Sequence, residues 1–139
     1  MIVKTGEIFL ETRGFCDIHD LTPAARKFLK ESGLEEGQFL VHVPGSTAGV
    51  TTIEYEPGVL QDLCRALSQI APEDIPYEHN KAWGDGNGFS HVRAALLKPS
   101  LTIPVSGGEL LLGTWQQIVL LDFDNRARRR RVIFQVLGK

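Results

Sequence analysis

Cysteine is scarce in this chain, and its two copies, Cys16 and Cys64, form no close pair and no CxxC. That excludes the short-spaced thiol motifs of redox and zinc chemistry. The spacing reads as two reduced thiols in a cytoplasmic protein. Cys64 shares an apolar helical face with Leu60, Leu63 and Leu67, which marks it as a packing residue. Long apolar runs are also missing: none approaches the ~20 residues needed to span a bilayer. The N-terminus carries no basic, then apolar, then small-residue pattern, so secretion is not expected. An excess of one charge is absent as well, since 15 Lys and Arg face 17 Asp and Glu for a net charge of -2. Nothing in that balance favours nucleic-acid binding across the whole surface. HExxH and HxH do not occur, and Gly45-Ser46-Thr47 lacks the Gly-Lys-Ser/Thr ending of a P-loop.

What is present fits one domain of ordinary soluble composition, with 139 residues, 42% hydrophobic and 23% charged. Residues 2–12 read as a strand. Thr22-Pro23 reads as an N-cap followed by proline at the first helical position, and the helix carries Ala24, Ala25, Phe28 and Leu29 before stopping at Gly33. Gln38 to Val43 alternates as a strand, and the β-branched stretch from Gly49 to Tyr55 is another. Pro57-Gly58 opens a helix with a stripe of Leu60, Leu63, Leu67 and Ile70. Residues 71–88 form a long polar loop, of the kind that often serves function. Phe89 to Leu97 has helical spacing. Ser100–Val105 and Glu109–Leu112 flank Ser106-Gly107-Gly108, a hairpin signal. An apolar strand from Thr114 to Phe123, a turn at Asp124-Asn125 and a strand from Arg131 to Leu137 complete the chain. Neighbouring strands and few crossover helices predict an α+β fold, mostly antiparallel, with two to three helices.

Candidate chemistry concentrates in Asp85-Gly-Asn-Gly-Phe-Ser-His91, where a carboxylate, a carboxamide and an imidazole lie close together between glycines. His79, Asn80, Lys81 and Arg93 stand nearby in sequence. With Glu54, the set His79, Asp85, Asn87 and His91 has the residue types for acid–base work or a divalent metal. A polar loop stabilised by local Asx hydrogen bonds is the competing reading. Ser46 and Thr47 could hold a phosphate through hydroxyls and backbone N–H groups, although an ordinary strand connection has the same pattern. The cluster Arg126, Arg128, Arg129, Arg130 and Arg131 reads as a solvated turn and strand start rather than a shared binding surface, because strand alternation points some of its members away from any common target. Trp115, Gln116 and Gln117 lie within an apolar strand, where the glutamines need partners if buried.

Three blocks together resemble the YjbQ family, also called secondary thiamine-phosphate synthase enzymes. They are Ser46-Thr-Ala-Gly-Val-Thr51 with Glu54; Asp85-Gly-Asn87 with His91; and Leu110-Leu-Leu-Gly-Thr-Trp-Gln116. The resemblance implies a compact α+β subunit assembling as a homotrimer, with polar pockets near subunit boundaries. It implies a secondary thiamine-phosphate synthase activity, a transferase reaction on small phosphorylated metabolites. His79, Asp85, Asn87, His91 and Glu54 would form the catalytic group, while Ser46, Thr47, Arg93, Trp115 and Gln116 would bind substrate. Two family histidines are replaced here by Gly45 and Phe89. A metal held by Asp85, His91 and Glu54 would therefore be oxygen-rich, suiting Mg²⁺ better than Zn²⁺. A trimeric protein that binds an anionic metabolite without turnover, and a metal-assisted hydrolase, are the alternatives.

Overall fold

The computed structural model describes residues 1–139. The chain runs β1 (Ile2–Thr12), β2 (Asp17–Asp20), α1 (Thr22–Ser32), β3 (Gly37–His42), β4 (Ala48–Glu54), α2 (Pro57–Ile70), α3 (Glu78–Trp83), α4 (Gly88–Leu97), β5 (Ser100–Ser106), β6 (Glu109–Leu110), β7 (Gln116–Asp122) and β8 (Arg128–Gly138). One sheet has the order β1-β8-β3-β5-β6, the other β2-β7-β4. Every paired strand is antiparallel. The fold is a single α+β unit. No helix is long and apolar enough to cross a membrane.

The main core lies between the two sheets and α1. Phe39, Val41, Val132, Phe134 and Val136 face Ile118 and Leu120 of β7 and Leu21, Ala25 and Leu29 at α1. Burying such side chains stabilises by about 1.5–3 kcal/mol each. The opposite face of the three-stranded sheet carries a second core, Val119, Leu121 and Phe123, covered by Leu67 of α2 and Ala94 of α4. β7 is therefore buried on both faces, which is why its sequence is a continuous apolar run rather than an alternating one. β8 alternates: Arg130, Val132, Phe134 and Val136 point inward, while Arg129 and Arg131 point outward to Glu11 and Glu7.

Several boundaries differ from the sequence reading. α1 begins at Thr22 with Leu21 as N-cap, so Thr22 is not the cap. Its hydroxyl is fully buried and accepts the N–H of Ile118 at 2.8 Å instead, while Asp20 Oδ1 takes the N–H of Thr22. Tertiary pairing thus outbids local capping. A fourth helix, α3, occupies part of the expected 71–88 loop, and β2 was not foreseen at all. The thiol expectation fails too: Cys16 and Cys64 form a disulfide, with Cα atoms 6.0 Å apart. Cys64 projects from α2 toward the β1–β2 turn, so its place beside leucines did not decide its chemistry.

Candidate functional site

The ends of β4 and β7 set the location. Ala48 is registered with Asp122, so the β3–β4 connection, which includes Ser46 and Thr47, lies against the β7–β8 connection, residues 123–127. The N-terminus of α4 closes the third side. Between them is a cavity of about 530 Å³ with no hydrophobic lining; Ser46, Asp85, His91, Asp124, Arg126 and Arg128 are among its walls.

A buried polar network forms its floor. Arg130, 4% exposed, grips Asp122 with two bonds, Nε to Oδ2 at 2.6 Å and Nη2 to Oδ1 at 2.9 Å. The same Nη2 donates to Thr47 Oγ1 at 2.6 Å, and that hydroxyl donates to Asp124 Oδ2 at 2.9 Å. Arg128 Nη1 also donates to Asp124 Oδ2, at 2.8 Å. Burial raises the pKa of Asp122, but the hydrogen bonds from Arg130 and Thr12 outweigh it and hold the carboxyl below its usual range. Asp124 Oδ1 is buried and has no partner. Gly45 passes so near Arg130 that a Cβ there would lie 3.2 Å from Nη1. A side chain at this position would press on the network.

The glycine-rich loop supplies the other wall. Gly86 adopts φ +64°, which residues with a Cβ rarely reach, and Asp85 Oδ1 accepts the N–H of Asn87 at 3.2 Å. Asn87 is an anchor: its Oδ1 accepts from Ser90 Oγ at 2.6 Å and from Asn125 N at 3.2 Å, tying α4 to the β7–β8 connection. His91 lies one turn into α4, and its ring centroid is 4.2 Å from that of His79 on α3. His79 Nδ1 is 3.5 Å from Asp85 Oδ1 without hydrogen-bond geometry. Burial, and next the nearby His79, lower the pKa of His91, against the opposing pull of Asp85 and Asp124. His91 is therefore neutral at neutral pH. It also borders a smaller recess of about 240 Å³ walled by Ala48, Ala94, Ala95 and Pro99, and Ser46 borders both spaces.

Of the residues expected at one site, Ser46, Thr47, Asp85, Asn87 and His91 converge, with His79 behind them. Glu54 does not. It ends β4 six residues from Ala48, about 20 Å away along an extended strand. Its registered neighbour is Gln116, whose side chain bonds Thr52 Oγ1 and the N–H of Gly113. Trp115, 71% exposed, stands at that same far end. Arg93 is also elsewhere: it is 2% exposed, donates to the Ala71 carbonyl at 3.0 Å and lies over the ring of Phe89, 4.9 Å from its centroid. Phe89 is buried and stacked on Phe15. The arginine cluster needs the opposite correction. Arg126, Arg128 and Arg130 line the cavity, Arg130 buried, Arg128 half-buried and Arg126 exposed at its mouth, while Arg129 and Arg131 fit the solvated reading. Asp122, Asp124 and Asn125 were missed, although a carboxylate pair ending an apolar strand just before alternating arginines was a readable signal.

The donor set expected for Mg²⁺ does not fit. Glu54 is remote from Asp85 and His91, and no group of three or more His, Cys, Asp or Glu side chains is arranged to hold a metal ion.

The family model described as UPF0047 protein YjbQ-like matches residues 6–139. A UPF0047 protein of Mycobacterium bovis, Mb2586c, is 45% identical over 116 residues, 83% of this chain and 87% of its own. YugU of Bacillus subtilis is 31% identical, covering 99% of this chain and all of its own. Among solved structures, a YbjQ-like protein of unknown function from Sulfolobus solfataricus matches with TM-score 0.94 and 28% identity, covering 99% and 98% of the two chains. Matching family model, relatives and fold over nearly its whole length, the chain belongs to the YjbQ-like UPF0047 family.

Proposed function

We propose that the chain binds a small phosphorylated metabolite, with the anionic end in the 530 Å³ cavity and a compact apolar or ring portion in the adjoining 240 Å³ recess. One observation carries the reading: a mostly polar space walled in part by arginines and an alanine-walled one meet at Ser46 and His91. Arg126 and the free face of Arg128 match phosphate oxygens. Arg130 stays committed to Asp122 and Thr47 and keeps the floor rigid.

The activity this best accommodates is thiamine-phosphate synthesis, as a secondary transferase activity. The nitrogen of a thiazole phosphate attacks the methylene carbon of a pyrimidine pyrophosphate; the C–N bond forms as the C–O bond breaks, and pyrophosphate leaves with the electron pair. No proton transfer is required. Arg126 and Arg128 would offset charge growing on the leaving group, and neutral His91 would donate a hydrogen bond at the junction. The lack of a preorganised metal site favours a second reading, a binding protein without turnover, and disfavours a metal-dependent hydrolase. Incubation of purified chain with both precursors separates these: thiamine phosphate formed by wild type and lost in Arg126→Ala supports the transferase, while phosphate binding without product supports the binder.

A cytoplasmic homotrimer is part of the proposal. Exposed Val3 and Leu137 lie side by side, with exposed Phe9 further along, on the face of β1 and β8 turned away from α1. Sedimentation at three times 15.4 kDa is the expected result; a monomer would remove this part.

A further inference from the structure

We propose that the Cys16–Cys64 pair is a redox site that controls the order of the cavity. The disulfide joins α2 to the β1–β2 turn. In that turn three consecutive residues are left-handed: Gly14 (φ +80°), Phe15 (φ +54°) and Cys16 (φ +75°). Phe15 and Cys16 hold a conformation that side-chain-bearing residues avoid, so surrounding bonds must maintain it. Gly14 cannot be replaced, since a Cβ would lie 2.1 Å from the Asp124 carbonyl oxygen.

The turn grips the cavity from behind at two points. The Phe15 N–H donates to the Asp124 carbonyl and the Cys16 N–H to the Asp122 carbonyl, both at 2.9 Å. These are the backbones of the two carboxylates that organise Arg128 and Arg130. The Phe15 ring stacks on Phe89, centroids 6.1 Å apart, and Phe89 lies between Asn87 and His91 in the first turn of α4. One clip thus braces both the β7–β8 connection and the glycine-rich loop. Both cysteines are only half-buried and face a shallow surface groove with Ile18 and Leu60, so a dithiol can reach the bond. In a reducing compartment a disulfide is characteristically transient and redox-sensing. Reduction by a dithiol, small or carried on a protein, breaks the S–S bond and leaves two protein thiols; two electrons and two protons come from the dithiol, which becomes the new disulfide. The freed Cys16 then relaxes out of the left-handed region, and both grips loosen.

The effect on ligand rests on the phosphate-binding reading, but the test does not. Hydrogen exchange of the full chain is compared in air-oxidised protein, in protein reduced with dithiothreitol and alkylated, and in Cys64→Ser. The Phe15→Ala variant removes the stacking grip without touching sulfur. The expected result is at least tenfold faster exchange at residues 14–16, 87–91 and 122–126 in both forms that lack the disulfide. Phe15→Ala should show it at 87–91. Inorganic phosphate affinity should fall about tenfold with reduction. Unchanged exchange in those segments after reduction, or two titratable thiols in the oxidised protein, overturns the proposal. If phosphate binds neither form, the functional reading fails and exchange alone decides this one.

Discussion

The two ends of β4 and β7 carry equally conspicuous sequence motifs and very different structures. At one end Thr47, Asp122, Asp124, Arg128 and Arg130 form a continuous network, much of it under 7% exposed. At the other, Glu54, Trp115 and Gln116 stand exposed with short-range bonds only. A motif rich in functional residue types can thus be a preorganised site or an open surface. Burial and satisfied hydrogen bonds make the difference, because a side chain fixed before the ligand arrives loses little freedom on binding.

The largest expected break of this contrast is Arg130→Ala. It leaves the buried Asp122 carboxylate without its charge partner and should cost about 3–5 kcal/mol, read as a lower urea midpoint, whereas Glu54→Ala should change stability by no more than about 0.5 kcal/mol. Opening the disulfide comes next. Its 48-residue separation corresponds to roughly 4 kcal/mol in the chain-entropy model, measured as the difference in unfolding between oxidised protein and Cys64→Ser. Arg126→Ala should keep the stability of the wild type and weaken phosphate binding about tenfold, or about 1.4 kcal/mol. Trp115→Ala should leave phosphate binding by the assembled protein unchanged. If it weakens binding as much as Arg126→Ala does, the two ends meet across a subunit boundary and the contrast dissolves.

The smallest expected effect is on pH. His91 has a folded pKa below its ordinary 6.5, so the unfolded chain takes up this proton first as pH falls. Its contribution to stability is present above pH 6.5 and is lost as pH drops through the folded value. Protonation also adds positive charge to the cavity wall. Binding of sulfate, whose charge is constant over this range, should tighten below pH 6.5, and His91→Gln should flatten that rise.

Much of this was legible from local pattern. Helical spacing located α1, α2 and α4, and the last strand was read from Arg131 to Leu137, the greater part of β8. The glycine-rich loop announced one wall of the cavity because its residue types are unusual in any loop. What escaped the sequence depended on pairing across distance. Thr22 looked like a cap, yet its partner is Ile118, nearly a hundred residues away. Cys64 looked like a packing residue until Cys16 was brought within reach. Arg130 looked solvated because its pairing with Asp122 shows only once the β7–β8 connection has folded back. Glu54 and Asp85 looked like a shared ligand set, but a seven-residue strand holds Glu54 at its far end.

The central claim is that the anion binds at the networked end. Titration of isotopically labelled protein with inorganic phosphate, followed by amide NMR, tests it directly. The account predicts saturable shifts at Gly45, Ser46, Asn125 and Arg126, with Glu54, Trp115 and Gln116 unmoved. Shifts centred on Trp115 and Gln116, or none at all, would contradict it.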